Sequence, residues 1–147
     1  MSKEIIQLVD VVSSQRGLNI YSSLSRDGEE TDATEGHFSS FDTAEKKLRR
    51  ELRIDNYLYL LAKGAKAAEA MFFAFTILKD AIILLSTDQQ KNIDPAPFLV
   101  LIGLYIITSN FKDEKNNDIV LGESTLNTVR EAQKQQNPQF RKTFKLK

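Results

Sequence analysis

His37 is the only histidine in the chain and cysteine is absent. Imidazole chemistry therefore rests on one ring, while thiol nucleophiles, thiolate metal sites and disulfides are excluded. His37 sits in SRDGEETDATEGHFSS, residues 25–40, a stretch rich in Ser, Gly, Thr and acid with too little apolar surface to offset ordering entropy. It reads as a solvated residue of a flexible acidic loop, not as a general acid or base. The carboxylates there, Asp27, Glu29, Glu30, Asp32 and Glu35, raise the question of calcium. Their spacing misplaces the central glycine and terminal glutamate of an EF-hand loop, so no metal is assigned.

No G-x-x-x-x-G-K-[ST] phosphate loop, no G-x-G-x-x-G turn, no Ser-His-Asp arrangement and no paired E-x-x-H for a dimetal bundle occurs in the sequence. The expectation is a non-enzymatic protein with no catalytic residue, no cofactor and no small-molecule substrate. One polar spot inside an otherwise apolar stretch stands out, the adjacent Lys79 and Asp80. A charge on a buried surface needs a partner or an exit to water, and snorkelling at the edge of a bundle satisfies it.

Binding chemistry fares better. The block KKLRRELR supplies Lys46, Lys47, Arg49, Arg50 and Arg53, and a basic tail at 137–147 adds Arg141, Lys142, Lys145 and Lys147 beside Phe140 and Phe144. Cations with interleaved aromatics are the makings of a nucleic-acid surface. A solvated helix face partly neutralised by Glu45, Glu51 and Asp55 is the competing reading. The formal charge balances at 20 basic and 20 acidic residues, so bulk electrostatics select neither nucleic acid nor an anionic membrane.

Most informative is what must position these groups. AAEAMFFAFTILKDAIILL, residues 67–85, is close to one unbroken apolar helix. Ala67, Ala70, Ala74, Ile77, Ala81 and Leu84 form one seam, mostly small. Met71, Phe75, Leu78, Ile82 and Leu85 form a bulky one beside it. Two seams predict a central helix between two neighbours, with Gly103 of a second apolar helix crossing closely on the alanine seam. The uninterrupted apolar runs 70–78 and 97–107 are shorter than the ~20 residues a bilayer requires. Lys79 and Asp80 would sit near mid-membrane at about 2.5 to 3.5 kcal/mol each, so a membrane-associated hairpin is the lesser alternative and a membrane is not the expected partner.

Around this centre, residues 3–13 read as a short amphipathic helix with Ile5, Leu8, Val9 and Val12 on one face, and a strand as the alternative because valine and isoleucine favour strands. Gly17 is a stop. Residues 18–24 alternate, with Leu18, Ile20, Ser22 and Leu24 on one side and Asn19, Tyr21 and Ser23 on the other, as in an edge strand. Its mate is sought in 118–121 or 140–146. Asp42 with Glu45 three residues on predicts an N-cap and capping box, with Phe41 as staple. The helix from Thr43 runs through Ala44, Leu48, Leu52, Leu58 and Leu61 or Ala62, and bends or ends at Gly64. Unbroken, it would measure about 43 residues or roughly 65 Å, more than a compact domain of this size covers.

Asp94 caps the second apolar helix with Pro95 at its first position, and 110–117 forms a charged loop. Ser124 or Thr125 caps a last helix over 126–136, which Pro138 ends. At 147 residues this predicts one domain, a mainly α helical bundle around the central helix with a minor β element near one terminus. The N-terminus MSKEIIQLVDVV lacks the pattern of a secretory signal, and a cytoplasmic, intracellular protein is expected. Two nearly all-apolar helices with only thin apolar faces elsewhere to cover them predict uncovered surface. The function read from this is a structural or protein-interaction subunit that forms a homo-oligomer or docks into a larger assembly. A nucleic-acid-binding accessory protein is the alternative. The makeup is that of small helical subunits of larger assemblies, and no motif singles out a family.

Overall fold

The computed structural model describes residues 4–86 and 95–146. In chain order the elements are β1 (Ile5–Ser14), β2 (Gly17–Arg26), β3 (Glu29–Phe38), α1 (Phe41–Ser86), α2 (Ala96–Gln135) and β4 (Gln139–Leu146). The strands form one antiparallel sheet in the order β3-β2-β1-β4. The expectation of a mainly α bundle with a minor β element is overturned by this sheet, to which four strands of eight to ten residues contribute.

The chain divides into two compact units. A sheet unit comprises Met1–Ile54 and Asp118–Lys147, and a hairpin unit comprises Asp55–Asn117.

In the sheet unit, one face of the sheet is covered by helix, which explains the alternation along β1, the start of β2 and β4. Val9 and Val11 of β1 and Leu18 and Ile20 of β2 are buried against Ala44 of α1 and Val129 and Ala132 of α2. Phe38, Phe41, Leu48, Phe140 and Phe144 close the edges of this core. The predicted alternation of residues 18–24 holds, since Val11 pairs with Ile20 and Val9 with Ser22, but β2 lies between β1 and β3 and is not an edge. The first segment is strand, the alternative reading. Its β-branched residues find neighbours on two sides, β2 and β4, and each strand supplies the ladder an isolated segment lacks.

Residues 25–40 are not a flexible loop. Asp27 and Gly28 both take positive φ, 55° and 88°, the backbone of a two-residue hairpin turn, and β3 follows. Ladder bonds to β2 hold β3 although only Phe38 reaches the core, and the register shifts between Leu24 and Ser25. The basic tail is β4, paired along its length with β1. Residues 118–121, considered as a strand, lie in α2, as does the charged stretch 110–117.

Ser40, not Asp42, caps α1. The Thr43 amide donates to Ser40 Oγ at 3.3 Å and the Ala44 amide to Ser40 O at 3.1 Å. Gly64 does not break α1, and Ser124 and Thr125 lie inside α2 with hydroxyls bonded to the carbonyls four residues back. Pro95 O accepts from the Leu99 amide at 3.1 Å, so Pro95 precedes the first turn of α2. The expected end of the central helix at 86–92, the Asp94 cap and Lys147 lie largely outside the described residues.

A polar clasp fastens β1 to α2. Gln7 is 1% exposed, and its Nε2 donates to Leu121 O at 3.2 Å and to Ser22 Oγ at 3.1 Å, with Thr125 Oγ1 at 3.3 Å. Its Oε1 is buried without a hydrogen-bond partner among the described residues.

Candidate interaction surface

The predicted cationic residues are largely spoken for. On α1, Lys46 meets Asp42 at 2.8 Å, Arg49 meets Glu45 at 2.6 Å and Lys47 lies 3.9 Å from Glu51, all one turn apart. The Lys46 ammonium pKa is raised by its bond to Asp42. Arg50 and Arg53 are exposed and make no ion pair among the described residues. On β4, Arg141 binds Asp10 at 2.8 Å, Lys142 binds Glu131 at 2.8 Å and Lys145 binds Glu4 at 2.6 Å. The glutamate likewise raises the Lys145 pKa. Phe140 and Phe144, read as stacking platforms, are half-buried and pack on the core of the sheet.

Nor does a reactive constellation assemble. His37 is exposed, its Nδ1–H donating to Asn19 Oδ1 at 2.6 Å across the β2–β3 ladder. Tyr21 donates to Glu30 Oε1 at 3.0 Å, and this bond raises the phenol pKa. Among the described residues, no three His, Asp or Glu side chains gather as a metal site. An open pocket lined by Ser13, Phe41, Gln133, Gln136, Asn137 and Pro138 offers no charged group.

The hairpin unit is different. Its two helix segments run antiparallel, joined by Asp55–Lys115 at 3.4 Å, Lys66 over the Tyr105 ring at 4.7 Å, Thr108 to Glu69 at 2.7 Å and an edge-to-face Phe73–Phe98 pair at 5.8 Å. On α1 the less exposed positions Ala62, Lys66, Glu69, Thr76 and Asp80, with Phe73 between, recur at alternating spacings of four and three. On α2, Phe98, Leu101, Thr108, Lys112 and Lys115 follow the same period with Tyr105. This is the 3.5-residue repeat of a coiled-coil seam, and most of its residues are polar or charged.

Choosing that seam leaves the bulky one outside. Met71 is 74% exposed, Phe75 66%, Leu78 59%, Ile82 57% and Leu85 89%, and Phe72 beside them 66%. Leu99, Ile102 and Ile106 of α2 stand out likewise. Ala67, Ala70 and Ala74 are exposed, and nothing lies within 4 Å of where a Gly103 Cβ would be. Among the described residues of the unit, none supplies the second neighbour predicted for this helix. Lys79 is exposed, Asp80 is half-buried, and neither makes an ion pair among the described residues.

Sequence reasoning found the two seams but assigned the apolar ones to the helix–helix contact. It missed the polar seam, which was visible as the spacing of Lys66, Glu69, Thr76 and Asp80. Comparison with family models, with curated proteins and with solved structures gives no match. Among the described residues, no helix is long and apolar enough to cross a membrane.

Proposed function

We propose that the protein is a non-catalytic structural or protein-interaction subunit of the cytoplasm whose working surface is the outward apolar face of the hairpin unit. The observation that carries this reading is the exposure of Met71, Phe75, Leu78, Ile82 and Leu85 in unbroken succession along α1. Scattered apolar residues on a surface are ordinary, whereas a contiguous row of large ones costs solvation along its whole length and marks a contact site. The nucleic-acid alternative draws less support, because ion pairs within the chain already occupy most of its cations.

Substitution on this row tests the reading. Met71→Gln with Phe75→Gln leaves a folded chain with little change in melting temperature at low protein concentration, since neither side chain is packed inside its own chain. Exposed-apolar dye binding to the hairpin drops in the variant. A loss of several kcal/mol from the isolated chain, as deletion of core side chains produces, would mean that these residues are internal core and would end the proposal.

A further inference from the structure

Resting on that reading, we infer that the occupant of the apolar row is a second copy of this chain, the hairpins packing side by side into a multi-helix bundle. Three observations select this partner. Among the many exposed apolar residues, which also include Phe72, Ile77, Leu84, Val100 and Ile107, one row on each helix keeps a coiled-coil period: Met71, Phe75, Leu78, Ile82 and Leu85 are spaced four, three, four and three, and Leu99, Ile102 and Ile106 of α2 are spaced three and four. Lipid imposes no such repeat, whereas knobs from one helix enter the holes of another only when it is kept. One chain thus carries both a ridge on α1 and a matching ridge on α2.

The second observation is area. A phenylalanine side chain carries roughly 200 Å² in full, so Phe72 and Phe75, each 66% exposed, leave about 130 Å² apiece. Six or so side chains of this order reach the ~800 Å² per partner of a specific interface. Within the apolar stretch, Met71, Phe72, Phe75, Leu78, Ile82, Leu85, Leu99 and Ile106 are all more than half exposed.

The third is charge. The chain carries 20 basic and 20 acidic residues, so copies meet without net repulsion, and among the described residues of the stretches 70–85 and 97–107 Lys79 is the one exposed charge. Insertion of the hairpin into lipid fits less well, because Asp88, Lys91 and Asp94 follow α1 in sequence and would have to enter or cross the hydrocarbon.

Light scattering during size-exclusion chromatography of the full chain in detergent-free buffer, over a hundredfold range of concentration, tests this. The mass expected at the upper end is at least twice that of one chain. Met71→Gln/Phe75→Gln/Leu78→Gln and, separately, Leu99→Gln/Ile102→Gln/Ile106→Gln return it to one chain with unchanged circular dichroism. Because the chain has no cysteine, Leu78→Cys carries a single thiol. Its maleimide labelling slows as concentration rises, while that of Asp32→Cys on exposed β3 does not. A single-chain mass throughout with unslowed labelling overturns self-association, yet leaves docking onto a different protein intact. Recovery only with phosphatidylcholine–phosphatidylglycerol vesicles overturns both.

Discussion

The Thr108 hydroxyl lies 2.7 Å from Glu69 Oε1 and 2.9 Å from the Leu104 carbonyl, so its one proton is shared between two acceptors. Glu69 Oε2 is buried without a hydrogen-bond partner among the described residues. Removing one partner of a buried carboxylate costs more than replacing the carboxylate by an apolar side chain.

Thr108→Val is therefore expected to destabilise the hairpin by about 1 to 3 kcal/mol, by removing the one described donor to a partly buried carboxylate. Glu69→Met is expected to be neutral or stabilising. Thermal unfolding of both variants checks the pair, and a Glu69→Met loss as large as that of Thr108→Val contradicts the account.

Glu45 gives a pH dependence. Its carboxyl is held below the ordinary 4.5, first by the hydrogen bond from Arg130 Nε at 3.0 Å and then by the charge of Arg49. A depressed folded pKa contributes stability that is present above the unfolded value and lost as pH falls through the folded one. Wild-type stability should fall below about pH 4.5 more steeply than that of Glu45→Gln. Denaturant midpoints from pH 6 to pH 3 give the comparison.

Two glycines should respond in opposite directions. Gly64→Ala adds a methyl to open space in a helix interior and should stabilise by about 1 kcal/mol. Gly17 has φ +125°, and a Cβ there would run into the Phe38 carbonyl oxygen, so Gly17→Ala should destabilise by about 1 to 3 kcal/mol. Hydrogen exchange at the β2–β3 ladder reports the second loss directly.

Leu18, 1% exposed, and Phe75, 66% exposed, separate the sheet core from the outward row. Leu18→Ala should cost about 2 to 5 kcal/mol in the isolated chain and Phe75→Ala under about 0.5 kcal/mol. Urea midpoints at low concentration measure the difference.

Residue types and spacing alone determined that the apolar stretches 67–85 and 97–107 are helical, that Leu18, Ile20, Ser22 and Leu24 share a strand face, and that thiol chemistry is impossible. Local periodicity fixes such features because a helix or strand reads its own neighbours. The Asp27–Gly28 turn was legible too, as a hairpin signal that the surrounding acids obscured. What the sequence left open was decided by partners distant in the chain. Ile5–Ser14 became a strand because β2 and β4 flank it, and the polar β3 became ordered because β2 offers an unpaired ladder. Which helical seam faces inward was also a tertiary decision. Lys66, Glu69 and Lys115 found partners across the hairpin, and meeting through them left the apolar seams outside.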